Sequence, residues 1–157
     1  MCLPMPHVDK MRQEKGTFHG FEYEIVANGH GYRCGYVKVI PGHPWFGKHY
    51  DEIECRVHGG LTFASAGKAC PTHDEKAEWW IGFDCAHAGD TQDWSDALWE
   101  DLKERDKVRE IHESIARKYP DDSELRSYWT PTIKDNDYVR AECESLAAQA
   151  QAAMVGE

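Results

Sequence analysis

Residues 21–39 have the sequence FEYEIVANGHGYRCGYVKV, which predicts a β-hairpin. Phe21, Tyr23 and Ile25 alternate with polar residues, which is the two-residue period of a strand with one buried face. The turn that follows, residues 28–31, contains two glycines that tolerate positive φ. Residues 32–39 then form the returning strand. The hairpin indicates an antiparallel sheet at the start of the fold.

Three later segments are predicted to extend this sheet. In residues 53–57 apolar and charged side chains alternate. Residues 61–64 follow the consecutive glycines Gly59 and Gly60, which indicate a sharp bend. Residues 79–84, WWIGFD, form the most apolar strand. Their alternation places Trp79, Ile81 and Phe83 on one face and Trp80, Gly82 and Asp84 on the other.

The second half of the chain has the pattern of helices. Apolar residues recur among dense charge from Ser95, a plausible N-cap, to Pro120, which would end the helix. A second helix is predicted to be capped by Asp135 or Asn136. Its apolar side is formed by Val139, Cys143, Leu146, Ala147 and Ala150.

The predicted fold class is α+β, with an antiparallel sheet of about five strands followed by two helices packed on it. We expect a loose N-terminal arm at residues 1–16 and a single α+β domain at residues 17–157.

Composition narrows the classes of function. The chain has 157 residues and a formal net charge of −10, which argues against general nucleic-acid binding, because that depends on a basic face. No apolar run is long enough to span a bilayer and no secretion signal is visible, so we expect the cytoplasm of the cell that makes it. The six cysteines are expected to be free thiols there.

Residues 43–90 concentrate groups that can carry chemistry. Five of the nine histidines lie there, and four aspartates lie among them. The histidines are His43, His49, His58, His73 and His87, and the aspartates are Asp51, Asp74, Asp84 and Asp90. The segment DCAHAGD, residues 84–90, follows the most apolar strand, and strand ends are rigid platforms for function.

One chemistry open to this segment is metal binding. If Asp84, His87 and Asp90 converge with His58, their donors suit zinc, manganese or iron. A structural interpretation stays open beside it, in which Asp84 caps a turn and His87 is a packed, hydrogen-bonded histidine.

A second chemistry needs no metal. His58 and His87 would act as general base and acid, while Thr62 and the N–H groups of Gly59 and Gly60 bind an oxyanion or a phosphate. Cys85 beside His87 is an alternative nucleophile.

Three further residues complete the predicted ligand-binding set. Lys48, or alternatively Arg56, would neutralise phosphate, Trp80 would stack on a flat ligand, and His43 would contact it. Core packing is the alternative interpretation of the aromatic residues.

Several of these segments resemble an uncharacterised family of small proteins of bacteriophages and prophage-bearing bacteria. The resemblance is carried by residues 41–44 (PGHP), 58–63 (HGGLTF) and 79–90 (WWIGFDCAHAGD), and residues 138–142 (YVRAE) are similar too. The resemblance supplies no established activity. It implies a phage accessory protein. Such proteins often counter host defence, and one way to do so is to sequester or cleave a nucleotide second messenger.

Two function hypotheses follow. In the first, the protein binds a nucleotide-like phosphate ligand in the bacterial cytoplasm and, if it is an enzyme, hydrolyses it as a metal-dependent or His-based phosphodiesterase. In the second, it is a non-catalytic acidic interaction protein that binds and inhibits a host protein. A metal with a purely structural role, a zinc or manganese cofactor and a homo-oligomer are all compatible with the sequence.

Overall fold

A computed structural model describes residues 12–66, 78–87, 89–118 and 132–155. Within these ranges five strands form one antiparallel sheet in the order β1-β2-β3-β5-β4. The strands are β1 (Arg12–Phe18), β2 (Phe21–Ala27), β3 (Arg33–Val39), β4 (Phe63–Ser65) and β5 (Trp79–Asp84).

Two helices follow the sheet and confirm the predicted α+β class. They are α1 (Leu102–Lys118) and α2 (Asn136–Val155). A short parallel pair, β6 (Asp90–Thr91) and β7 (Thr132–Ile133), joins the loop after β5 to the segment before α2. Among the described residues, no helix has the length and apolar character needed to cross a membrane.

The core lies between α2 and one face of the sheet. The predicted apolar side of α2 is confirmed, since all five of its residues are buried: Val139, Cys143, Leu146, Ala147 and Ala150. Opposite them lie fully buried residues of the central strands, including Ile25, Val37 and Ile81. Gly35 permits the close approach, because a Cβ there would lie 2.4 Å from the Phe83 ring and 2.8 Å from the Cys143 sulfur.

The hairpin of β2 and β3 is confirmed, with an Asx turn at its tip. The Asn28 side-chain oxygen accepts hydrogen bonds from the backbone N–H groups of His30 at 2.8 Å and Tyr32 at 3.3 Å. A short polar side chain therefore closes the turn, as such residues commonly do.

The predicted boundary of the N-terminal arm is wrong for residues 12–16. These residues form most of β1, and Gly16 pairs with Tyr23 of β2. The β1 segment is polar because it is an edge strand, with most of its side chains partly or fully exposed. Residues 1–11 of the expected arm lie outside the described ranges.

Residues 53–57, predicted as a strand, are not part of the sheet. Ile53 is buried and Cys55 and Val57 are half-buried, so the alternation reports burial correctly. The backbone instead pairs with a side chain of α2, since Arg56 N–H donates to Gln149 Oε1 and Gln149 Nε2 donates to Arg56 O, both at 2.7 Å. A glutamine amide here takes the place of a neighbouring strand.

The first predicted helix begins later than Ser95. Asp101 caps it by accepting hydrogen bonds from the N–H groups of Lys103 and Glu104. Ser95 instead lies in a turn, where its N–H donates to Asp93. No residue of α1 is buried, so the packing on the sheet expected of both helices is made by α2. The predicted terminator Pro120 lies outside the described residues.

Candidate functional site

Three separate segments meet at one end of the sheet. β5 ends at Asp84 beside the start of β3, because Cys34 pairs with Asp84. Arg33, the first residue of β3, donates hydrogen bonds to Asn136 Oδ1 at 2.7 Å and to Lys134 O at 3.2 Å. The start of α2 is therefore fixed beside the loop that follows β5.

Asp90 is the centre of the cluster that forms there. Its side chain is 1% exposed. Oδ2 lies 2.8 Å from His58 Nε2, accepts the backbone N–H of His87 at 2.9 Å, and lies 3.3 Å from His87 Nδ1. Burial by itself would raise the pKa of Asp90, but the hydrogen bonds from His58 and from the His87 backbone outweigh it and lower that pKa. Asp90 is thus an ionised, buried carboxylate.

His58 is held at both ring nitrogens. Nε2 faces the Asp90 carboxylate, which can only accept, so this nitrogen carries a proton and donates. Nδ1 is hydrogen-bonded to the Tyr138 hydroxyl at 2.8 Å. Burial, followed by the nearby Glu142 charge, raises the pKa of Tyr138, whose hydroxyl also hydrogen-bonds the Glu142 side chain. The three side chains form an Asp90–His58–Tyr138 chain of hydrogen bonds.

His87 is the part of the cluster that reaches the surface. Its side chain is 37% exposed, and its ring centre lies 5.3 Å from that of His58. Nδ1 faces Asp90, whereas Nε2 lies 3.5 Å from Asp84 Oδ1. The ring packs directly on the backbone of Gly59, where a Cβ would lie 2.2 Å from His87 Cε1. Glycine is required at that position by both the contact and a φ of +68°.

Lys134 balances the Asp90 charge. Its Nζ lies 3.3 Å from Asp90 Oδ1 and donates to Gly89 O at 3.2 Å and Thr132 O at 3.3 Å. It also contacts the Thr132 hydroxyl. Its hydrogen-bond donors are used to join the segment before α2 to the loop after β5, so Lys134 holds the site together.

The side chains of His58, His87 and Asp90 each offer one possible ligand atom, and these atoms lie within 4.8 Å of one another. Of the four residues that the sequence analysis expected to converge, His58, His87 and Asp90 form this donor set and Asp84 is not part of it. Asp84 instead contacts the outer nitrogen of His87 and accepts the backbone N–H of Ala86 at 3.2 Å. This second contact is the turn-capping role that the structural interpretation gave it.

Three predicted ligand-binding residues lie elsewhere. His43 is buried and donates from Nε2 to Ala150 O at 2.8 Å, while its Nδ1 accepts the Trp45 N–H. The Lys48 carbonyl accepts the Trp79 indole N–H, which places Lys48 near the opposite end of β5 from Asp84. Trp80 is buried on the sheet face away from α2, with the Lys38 ammonium 5.9 Å from its ring centre.

The expected anion site at the glycine pair is incomplete. Gly59 and Gly60 both have positive φ, as a sharp bend requires. The Gly60 N–H is already hydrogen-bonded to Val57 O at 2.9 Å, and the Thr62 N–H donates to Gly82 O. The prediction that the Gly60 N–H group binds an anion is therefore wrong, because this group is already hydrogen-bonded within the chain.

Cys85 is not suited to act as a nucleophile. It is 1% exposed, and burial, reinforced by the Asp90 charge, raises its pKa far above neutrality. Cys34, Cys55, Cys85 and Cys143 are free thiols, as expected. The other two cysteines, Cys2 and Cys70, lie outside the described residues.

Sequence reasoning missed Tyr138 and Lys134 as members of the site. The predicted cap at Asp135 is confirmed, since its side chain accepts the Tyr138 N–H at 2.9 Å. This cap implied that Lys134 and Tyr138 lie near the start of a helix packed on the sheet. It could not show that they would contact the loop after β5.

Comparison of the chain with protein-family models, with curated proteins and with solved structures gives no match. The functional assignment therefore depends on the chemistry of this cluster.

Proposed function

We propose that this protein binds a small nucleotide-like phosphate ligand at His87 and hydrolyses it, acting as a phage-type accessory protein that removes a host-defence signal. The supporting observation is the shared carboxylate of Asp90, which lies 2.8 Å from His58 and 3.3 Å from His87. A buried carboxylate that orients an exposed histidine is a recurring arrangement for activating an oxygen nucleophile.

His87 can act there in two ways. If Asp90 accepts the Nδ1 proton, the Nε2 lone pair, which lies 3.5 Å from Asp84 Oδ1, can take a proton from an attacking water, and the resulting imidazolium can return it to the leaving oxygen. If Nδ1 binds a metal ion, the ion activates the water instead. Both routes require Asp90, but the first acts at the outer edge of the His87 ring and the second at the edge that faces Asp90.

The remaining members of the cluster support His87 rather than react. His58 is hydrogen-bonded at both nitrogens, so it has no free lone pair for a substrate. The rigid contacts from Tyr138 and from the Gly59 backbone keep the two imidazoles in place. Such buttressing supports catalytic geometry more than it supports stability.

The test is turnover of a panel of cyclic mononucleotides, cyclic dinucleotides and bis(p-nitrophenyl) phosphate at neutral pH. His87→Ala should lower turnover at least about 100-fold, the usual loss when a general base is removed. His49→Ala is the matched control, because His49 is also an exposed histidine paired with an aspartate, at 2.7 Å from Asp51.

Calorimetric titration with the same nucleotides measures binding, so it detects a ligand even if the protein does not hydrolyse it. The proposal fails if folded His87→Ala protein binds and turns over ligands as wild type does. It also fails if the wild-type protein neither binds nor cleaves any member of the panel.

A second function is favoured by the surface of α1. Ile111 and Ile115 are 55% and 53% exposed on a helix with no buried residue, in a chain of net charge −10. Exposed apolar side chains on an otherwise charged helix are typical of a protein-binding face. On this hypothesis the protein binds and inhibits a host protein without catalysis.

The two functions separate by mutation. Replacing Ile111 and Ile115 by serine should abolish capture of a stoichiometric host protein while leaving nucleotide binding intact. His87→Ala should do the reverse. Capture that survives the double serine replacement would contradict the second function.

A further inference from the structure

We propose that His58 Nε2, His87 Nδ1 and Asp90 Oδ2 bind one divalent transition-metal ion of the zinc or manganese class, and that this ion receives the phosphate of the ligand. The phosphate part of this inference rests on the proposed function. The metal part stands on the geometry of the three donors.

The spacing of the donors suits a single ion. At metal–ligand bonds of about 2.1 Å, two donors lie about 3.0 Å apart at a right angle and about 3.4 Å apart at the tetrahedral angle of zinc. The His87 nitrogen–oxygen distance of 3.3 Å lies between these values, and the His58 distance of 2.8 Å is slightly shorter. One donor atom from each of the three residues lies within 4.8 Å of the others, and small side-chain shifts would bring both imidazoles within the roughly 4.2 Å that one ion can span. Two imidazoles and one carboxylate on one side of an ion leave its other positions open.

The surrounding groups are arranged to hold the ligands in their metal-bound form. A metal on Nε2 of His58 moves the ring proton to Nδ1, where the Tyr138 oxygen at 2.8 Å can accept it. A metal on Nδ1 of His87 moves that proton to Nε2, which faces Asp84 Oδ1 at 3.5 Å. Each histidine keeps one proton, so no proton is lost in the exchange. Acceptors of this kind are a usual feature of metal-binding histidines.

The charge around the site also favours a cation. The Asp90 and Asp84 carboxylates both face His87, and Lys134 is the cation in contact with Asp90. The Lys134 charge opposes a metal ion, but its donors are bound to the backbone and to Thr132. A phosphate approaching this surface would meet the Asp84 carboxylate. A bound divalent ion would supply a positive charge for the phosphate beyond that of Lys134, whose donors are already bound.

The ion would also change the role of His87. With Nδ1 on the metal and the proton on Nε2, His87 is a ligand and no longer a base. The nucleophile is then a water on one of the open positions, whose pKa the ion lowers. Turnover should therefore depend on metal rather than on a free imidazole.

The experiment is a titration of metal-stripped full-length protein with Co²⁺, followed by its visible absorption, with Zn²⁺ competition to confirm a shared site. We expect one Co²⁺ per chain with wild type and with His49→Ala. Binding should be lost in His87→Ala and in Asp90→Ala. Tyr138→Phe, which keeps all three ligands, should weaken it about 10–100-fold.

Circular dichroism establishes whether each variant is folded. If His87→Ala or Asp90→Ala does not fold, the metal affinity of Tyr138→Phe still tests the inference. Absence of saturable Co²⁺ binding by wild type would overturn the inference, as would unchanged binding by His87→Ala. Unchanged binding by Tyr138→Phe would refute the supporting role of the hydroxyl.

Inorganic phosphate added to the Co²⁺ protein tests the ligand. A shift of the visible bands is expected, and no shift would refute the phosphate part. Turnover that persists after chelation would overturn the metal inference while the proposed function stands. Metal binding without any nucleotide binding or turnover would refute the proposed function while the metal site stands.

Discussion

Replacing Gly59 by alanine tests the contact that holds His87 in place. Gly59 has a φ of +68°, and a Cβ there would lie 2.2 Å from Cε1, 2.4 Å from Nε2 and 2.8 Å from Nδ1 of the His87 ring. Because carbon atoms in contact normally lie about 3.5 Å apart, the ring would have to move by roughly 1 Å. His87 Nδ1 starts 3.3 Å from Asp90 Oδ2, so such a shift breaks that contact.

The matched control is Gly60→Ala. Gly60 has a similar φ of +83°, and a Cβ there meets nothing within 4 Å. Both variants should lose about 1–2 kcal/mol of stability from the left-handed backbone. For a domain of this size that lowers Tm by about 2–8 °C. The difference between the two variants isolates the effect on His87.

The expected functional result is a large difference at similar stability. A misplacement of about 1 Å in a reacting group can cost roughly 100-fold in rate. We expect Gly59→Ala to lose Co²⁺ affinity and turnover by that factor relative to Gly60→Ala. Thermal melts and the Co²⁺ titration measure the two quantities. Equal metal affinity in the two variants would refute the argument that Gly59 positions His87.

Three further predictions concern the frame of the molecule. Burial would raise the pKa of Asp93, but hydrogen bonds from the Ser95 side chain and backbone, together with the Arg33 ion pair at 2.9 Å, lower it overall. The stabilisation from these contacts is therefore complete above the unfolded-state pKa of about 3.9 and is lost as pH falls through the lower folded-state pKa. Denaturant titrations between pH 6 and 2 should show this loss in wild type and a smaller one in Asp93→Asn. Leu146→Ala should cost about 2–5 kcal/mol in chemical denaturation, against about 0.5 kcal/mol or less for exposed Ile115→Ala, and equal costs would contradict the described core. Gly35→Ala, which crowds two core side chains, should cost about 1–3 kcal/mol, and an unchanged Tm would contradict that close approach.

Much of the fold could be predicted from local patterns. The hairpin, the β5 strand and the buried side of α2 depend on periods of two and of 3.6 residues, and these periods survive in the structure. The two-residue alternation gave a wrong strand prediction at residues 53–57. Apolar and charged side chains alternate there because one side of the segment lies against the core, but its backbone hydrogen bonds are made with the Gln149 side chain and not with a neighbouring strand.

The candidate site was predictable only in part. The segment after β5, which is rich in histidine and aspartate, identified His87 and Asp90 as candidate site residues. His58 was included only as a hypothesis, because it directly precedes the predicted bend at Gly59 and Gly60. His43 shows the limit of that reasoning. It belongs to the same histidine-rich stretch, yet its two ring nitrogens bond to Ala150 and Trp45, so it holds the C-terminal part of α2 to the loop that follows β3.

The sequence by itself determined the class of fold, the strand end that carries the functional groups and the cap that starts α2, because each depends on residues close together in the chain. The tertiary structure decided which groups meet. His58 lies 32 residues from Asp90 and 80 from Tyr138, and their contacts exist because packing of α2 on the sheet brings those segments to one edge. The spacing of apolar residues along the chain does not predict these contacts of His58. They result from the burial of the whole apolar face of α2 against the sheet.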